Sequence, residues 1–176
     1  MTPPLAPPPP GSPSPRPPGL TLRTEVRSGD APGVEALVRD TGFFTPDEVA
    51  VARELVDAYL TQGPSSGYRF LFAESPRGLA GYTCYGEIPA TERRYDLYWI
   101  AVSATQQRGG IGRLLLRESE ALIAQAGGTR VYIETSSRAL YTPTQAFYTN
   151  NGYILEARLK QFYTDADDKL IYVKAL

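Results

Sequence analysis

Residues Tyr95–Val102 form an apolar and aromatic run broken only by Asp96, and a few residues later the chain passes Gly109, Gly110 and Gly112 into a helical pattern that begins at Ile111. A buried strand that feeds a glycine-rich turn and then a helix is a strong constraint. Glycines let backbone N–H groups converge, and the helix N-terminus adds a positive dipole end. That geometry suits an anion, most often a phosphate or pyrophosphate, and Arg108 and Arg113 could add charge. The plain alternative is a tight turn with no ligand.

The elements around this turn give an α/β (α+β) order. Leu20–Val26 alternates and predicts a first strand. Asp30–Asp40 predicts a short helix with Asp30 as its cap. Thr45, Pro46 and Glu48 form a capping box at the start of a second helix, whose stripe is Val49, Ala52, Val56, Tyr59 and Leu60. Tyr68–Glu74 and Leu79–Tyr85 predict a hairpin around the turn Ser75–Gly78. Further strands are expected at Tyr95–Val102, Arg130–Thr135, Tyr153–Lys160 and Leu170–Lys174. Helices are expected at Gly110–Ala126 and Pro143–Asn150. Antiparallel hairpins come first, then a strand–helix–strand unit.

The first twenty residues hold ten of the 16 prolines. Such a segment cannot bury a core, so residues 1–20 are expected to be a disordered tail with polyproline II character, and 21–176 a single domain. It is either an idle tail or a ligand for a proline-binding domain.

Several function classes are excluded by composition. The chain has no histidine, so it holds no Ser-His-Asp triad, Cys-His pair or imidazole metal ligand. Its lone cysteine, Cys84, cannot make an internal disulfide or a cysteine-rich zinc site. A net charge of -1 offers no basic excess for nucleic acid or an anionic membrane. No apolar run approaches the roughly 20 residues of a bilayer span, and the start lacks a signal-peptide pattern, so a cytoplasmic location is expected.

Two nucleotide folds fit the glycine turn poorly. A P-loop needs Gly-Lys-Ser/Thr, yet Arg113 and Leu114 follow Gly112; a dinucleotide fingerprint needs a third glycine where Leu115 stands. The stretch Gln107–Gly112 instead resembles the signature Arg/Gln-x-x-Gly-x-Gly/Ala of the GNAT N-acetyltransferases. Phe147–Tyr153 resembles a second element of that family, Phe-Tyr-x-x-x-Gly-Phe/Tyr. Gln107 stands where Arg is commoner, and Tyr141 where many members carry Asn.

The resemblance implies a GNAT fold: a mixed central β-sheet of about seven strands flanked by about four helices, with a V-shaped splay between the two central strands. It implies acetyl-CoA as cosubstrate and a primary amine, small or on a peptide, as acceptor. Backbone of Ile100, Ala101 and Val102 would pair with the pantetheine arm. The amides of Gln107, Arg108, Gly109, Gly110, Ile111, Gly112 and Arg113 would hold the pyrophosphate. The Val102 amide would polarise the thioester carbonyl. Tyr148 would donate a proton or a hydrogen bond to the departing sulfur; its alternative is a packed core tyrosine.

A base must then take a proton from the amine, and three carboxylates are candidates. Asp96 lies six residues before Val102, where some members carry a catalytic carboxylate, and strict alternation would put Asp96, Tyr98, Ile100 and Val102 on one face. Glu134 is a charge in an otherwise apolar strand. Glu87 ends the hairpin. Tyr82, Tyr85, Tyr98, Tyr132, Tyr141 and Tyr163 would either line an acceptor pocket or pack the sheet. The acids of Phe162–Asp168 would attract a cationic amine or form a solvated turn. Cys84 is expected to be a small buried hydrophobe. Besides the acetyltransferase, a non-catalytic acyl-CoA-binding module and another nucleotide-binding domain remain as readings. Monomer and homodimer are not separated.

Overall fold

The computed structural model describes residues 17–107 and 109–176. The predicted tail therefore falls outside the described residues as far as residue 16, as does Arg108. Leu20, counted with the tail by composition, is 6% exposed and belongs to the core.

Among the described residues seven strands form one sheet: β1 (Thr21–Arg23), β2 (Arg69–Ser75), β3 (Gly78–Glu87), β4 (Arg94–Val102), β5 (Arg130–Ser136), β6 (Ile154–Thr164) and β7 (Asp167–Ala175). Their spatial order is β1-β2-β3-β4-β5-β7-β6. Every neighbouring pair is antiparallel except β4–β5, which is parallel. The long helices are α1 (Asp30–Asp40), α2 (Pro46–Gln62), α3 (Ile111–Gln125) and α4 (Thr142–Asn150).

Helices α1 and α2 cover one face, burying Val34, Val38, Ala52 and Val56 against Phe70, Phe72, Tyr82 and Cys84. Helix α3 covers the other: Leu115 packs with Leu71, Ala73 and Ala80, and Leu116 and Ile123 pack with Leu97, Val131 and Ile133. Each fully buried large aliphatic or aromatic side chain contributes about 1.5–3 kcal/mol. Gly81 permits the close approach of α3 to β3, because a Cβ there would lie 2.9 Å from Leu115 Cδ1 and 2.8 Å from the Ala101 carbonyl oxygen. Thr83 and Ser119, both fully buried, bond hydroxyl to hydroxyl at 2.7 Å across the same contact.

The capping box forms as predicted: Thr45 accepts from the Glu48 amide, and Glu48 accepts from the Thr45 amide at 2.8 Å. Asp30, by contrast, does not cap α1. Gly29 holds the cap position, and Asp30 is the first helical residue, where it accepts from the Arg27 amide and pairs with Arg23 at 2.8 Å. A second carboxylate, Glu74, binds the same guanidinium, so Asp30 is drawn to Arg23 and away from the cap.

Candidate active site

Two features of β4 make the site. The first is its splay from β5. The parallel ladder joins Arg94 to Arg130, Tyr95 to Val131 and Asp96 to Tyr132, and then stops, although both strands run on. The gap opens between Leu97–Val102 on one side and Ile133–Ser136 on the other. The Ser103 amide donates to Ala80 O on β3 at 2.9 Å. Main-chain groups alternate along a strand, so Ala101 also turns its own toward β3, while Ile100 and Val102 turn theirs into the gap. Ile100 and Val102 thus border the gap through their main chain; Ala101 does not.

The second feature is a β-bulge. Cys84 lies opposite Trp99 and Tyr85 opposite Leu97, which leaves Tyr98 as the extra residue. The expected face of Asp96, Tyr98, Ile100 and Val102 is therefore broken. Ile100 and Val102 pack with the α3 side, whereas Trp99 and Ala101 pack with α1 and α2. Asp96, flanked by Tyr95 and Leu97 of the α3 side, turns to the face of α1 and α2.

At the open end of the gap, α3 begins. Gly110 caps it with φ 79 and no side-chain hydrogen bond, a conformation that favours glycine. The first amides of α3 lack intrahelical acceptors. Gly109, Gly110 and Arg113 are exposed, whereas the Ile111 side chain is buried in the core, leaving only its amide for a ligand. Gln107 bends back so that its Nε2 donates to Val102 O at 3.3 Å. A Cβ on Gly112 would touch Val102 Cγ2 at 3.6 Å and the Phe147 ring at 3.8 Å. Turn, strand end and α4 thus meet at one place.

Tyr148 follows Phe147 on α4. Its ring is 5% exposed and packs against Phe147, Tyr153 and Tyr172. It shares a cluster with Leu97, Ile100 and Ile133 from the two lips of the gap. Burial pushes its phenol well above the ordinary value, so the hydroxyl keeps its proton at neutral pH.

The carboxylates divide. Glu134 alternates with Val131 and Ile133, which face α3, and so shares the face of Asp96. Burial first, and the Glu134 charge second, raise the Asp96 carboxyl to about 6; Lys169 opposes them. Glu134 is half exposed and pairs with Lys169 Nζ at 2.6 Å. Glu87 is not brought to this group. It is exposed, and it sits opposite Tyr95, whose ring lies on the α3 side.

The tyrosines divide too. Tyr82 and Tyr85 are core residues. Tyr98 and Tyr163 are 40% and 45% exposed on the Asp96 side, and each phenol is raised to about 12, chiefly by burial. Tyr132 lies beside Asp96 in the ladder. Tyr141 donates to the Phe43 carbonyl at 3.4 Å, and Phe44 contacts Trp99 with centroids 4.9 Å apart. Tyr98, Tyr132 and Tyr163 thus stand on the side of the sheet that carries Asp96 and Glu134.

The acids Asp167 and Asp168 are not free to attract an amine. Asp167 accepts from Ser136 Oγ at 2.7 Å and from the Ser137 amide, and Asp168 accepts from Arg158 and from the Gln161 amide at 2.7 Å. Cys84 is fully buried, and burial raises its thiol far above the ordinary range, which removes it as a nucleophile. Sequence reasoning missed Lys169, whose partners come from β5 and the β6–β7 hairpin.

Residues 37–153 match the model of the acetyltransferase (GNAT) family. The chain belongs to the GNAT acetyltransferases. A protein from Desulfovibrio desulfuricans assigned to that family is 47% identical, with a TM-score of 0.87, over 89% of this acetyltransferase and 98% of that chain. The ribosomal-protein-alanine N-acetyltransferase of Brucella melitensis shares the fold at 23% identity and a TM-score of 0.72, covering 89% and 99% of the two chains. An aminoglycoside 6'-N-acetyltransferase complexed with coenzyme A does so at 17% and 0.69, covering 88% and 96%. Nothing matches among curated proteins. The protein is thus an acyltransferase that uses acetyl-CoA and acts on an amine. Its residues fit that donor: the gap leaves strand-edge groups of Ile100 and Val102 unpaired by β5, and α3 begins at a glycine cap with no side-chain hydrogen bond to its first amides. Among the described residues no helix is long and apolar enough to cross a membrane.

Proposed function

We propose that this acetyltransferase moves the acetyl group directly to a primary amine, small or on a peptide, with Asp96 as the base and Tyr148 as the hydrogen-bond donor to the departing thiolate. Acetyl-CoA, when bound, supplies an activated acyl group whose C–S bond is exchanged for a C–N bond. The amides of Gln107, Gly109, Gly110, Ile111, Gly112 and Arg113 bind the diphosphate; Arg108, by its place in the motif, belongs to the same turn. Ile100 and Val102 hold the donor arm along the free edge of β4, and the Val102 amide stabilises negative charge at the carbonyl oxygen.

The observation that carries this reading is the pairing of a carboxyl raised to about 6 with a phenol pushed upward, the first beside the point where β4 and β5 part and the second in the cluster that joins the lips of the gap. An alkylammonium near pKa ~10 must lose its proton before it attacks. Asp96, ionised at pH 7, accepts a proton at its carboxylate, and a base tuned near the working pH is the efficient one. Glu134 supplies charge beside it. Tyr148 holds its proton at Oη. Full transfer from so weak an acid to a thiolate of pKa ~8.5 is uphill, so the phenol acts by donating a hydrogen bond.

Thiol release from acetyl-CoA over a panel of primary amines tests the reading. Amine-dependent turnover that falls at least about 100-fold in Asp96→Asn is expected. Turnover left intact by that substitution would reject Asp96 as the base.

A further inference from the structure

The geometry points to Lys169 as a positioning residue of the acyl transfer: it clamps Glu134 and the tip of the β6–β7 hairpin together and so fixes the charge that Asp96 meets. This rests on the reading of Asp96 as the base.

Lys169 enters from β7 opposite Ser136, two rungs beyond the Glu134–Ile171 pair and so on the same face of the sheet. Its side chain is only 13% exposed, against 50% for Glu134. A lysine so enclosed needs partners for its ammonium. It finds Glu134 Oε2 at 2.6 Å, the Phe162 ring at 3.8 Å from the centroid and the Tyr163 ring at 5.8 Å. One carboxylate and two aromatic faces therefore hold a single cation. Phe162 and Tyr163 sit edge to face, 5.1 Å apart, at the hairpin tip, and Tyr163 also meets the charge of Glu134. The clamp thus links the strand beside Asp96 to the tip of the β6–β7 hairpin.

The charged and titratable groups that face Asp96 are Tyr132 and Glu134 from β5, Lys169 from β7 and the Tyr98 phenol from its own strand; β3 offers only Gly86 opposite it. The two charges have opposite effects. Glu134 makes ionisation of Asp96 harder, and Lys169 makes it easier. With the clamp closed, Asp96 meets a carboxylate whose charge is largely answered. With it open, Asp96 meets that carboxylate alone.

The test is the acidic limb of kcat against pH at saturating amine and acetyl-CoA. Lys169→Met keeps the stem and removes the charge, and should move the limb upward by roughly half a pH unit or more. Glu134→Gln should move it downward. The double variant should return it toward the parent, and Lys169→Arg should hold it near the parent. Should Lys169→Met not fold, Glu134→Gln and Lys169→Arg read the same coupling. A limb unmoved in folded Lys169→Met or in Glu134→Gln overturns the inference, as does a change confined to thermal stability. Asp96→Asn separates the two readings. If it abolishes activity while the clamp variants leave the limb in place, the base stands and the clamp falls. If the limb survives in Asp96→Asn, the base reading falls and the clamp falls with it.

Discussion

A carboxyl that titrates near 6 affects both the rate and the fold, with opposite signs. For the rate, Asp96 must be ionised, so activity should drop as pH falls through about 6, and a pH–rate profile checks it. For the fold, the folded state keeps the Asp96 proton up to about 6, whereas the unfolded chain loses it near the ordinary ~3.9. Between those values the folded state binds more protons, so this residue's contribution to stability grows as pH falls. Above 6 its ionised form is a standing penalty. Asp96→Asn should therefore melt higher than the parent at pH 7 while losing activity. A lower melting temperature in that variant would contradict the burial described for Asp96. Tyr148→Phe keeps the ring that packs on Tyr153 and Tyr172 and removes only the hydroxyl. It should lower kcat by about 10- to 100-fold with little change in melting temperature, since only the donated bond is lost.

The elements that could be read from the chain are those whose signals are local. The capping box of α2 is written in Thr45, Pro46 and Glu48 and forms as expected. Thr45→Ala should destabilise the protein by about 1 kcal/mol, measured by denaturant unfolding. The glycine turn and the Phe147–Tyr153 segment are local too, and their resemblance to one family carried the fold. What could not be read depends on pairing. The bulge at Tyr98 exists only because Cys84 and Tyr85 take partners two residues apart on β4, Trp99 and Leu97, where a regular ladder has them adjacent. Nothing within Tyr95–Val102 announces it, so strict alternation sets Ile100 on the face of Asp96, which it does not share. Lys169 lies in an ordinary-looking strand, and its meaning comes from Glu134, thirty-five positions away, and from Phe162 across a hairpin. The acids at that hairpin read as free charges. Asp167 and Asp168 are consumed by Ser136, Ser137, Arg158 and Gln161, again through contacts between separate elements.

At the scale of the molecule, the open gap between β4 and β5 is a sheet interrupted at its centre. A ligand that fills it stabilises the folded state alone. Acetyl-CoA at about 100 times its Kd should add ~2.7 kcal/mol. For a chain of this size that raises the melting temperature by roughly 5–10 °C. ATP and NAD at the same concentration should leave it unchanged, and thermal denaturation with each compound checks this. The two lips of the gap differ in kind. One half of the site addresses its guest through peptide groups, which every residue except proline carries in full. The other half speaks through Asp96, Glu134, Lys169 and a ring of aromatics projecting from separate strands and loops. Exchanging a few of those projecting groups would retarget the protein to a new client and leave its fuel supply untouched.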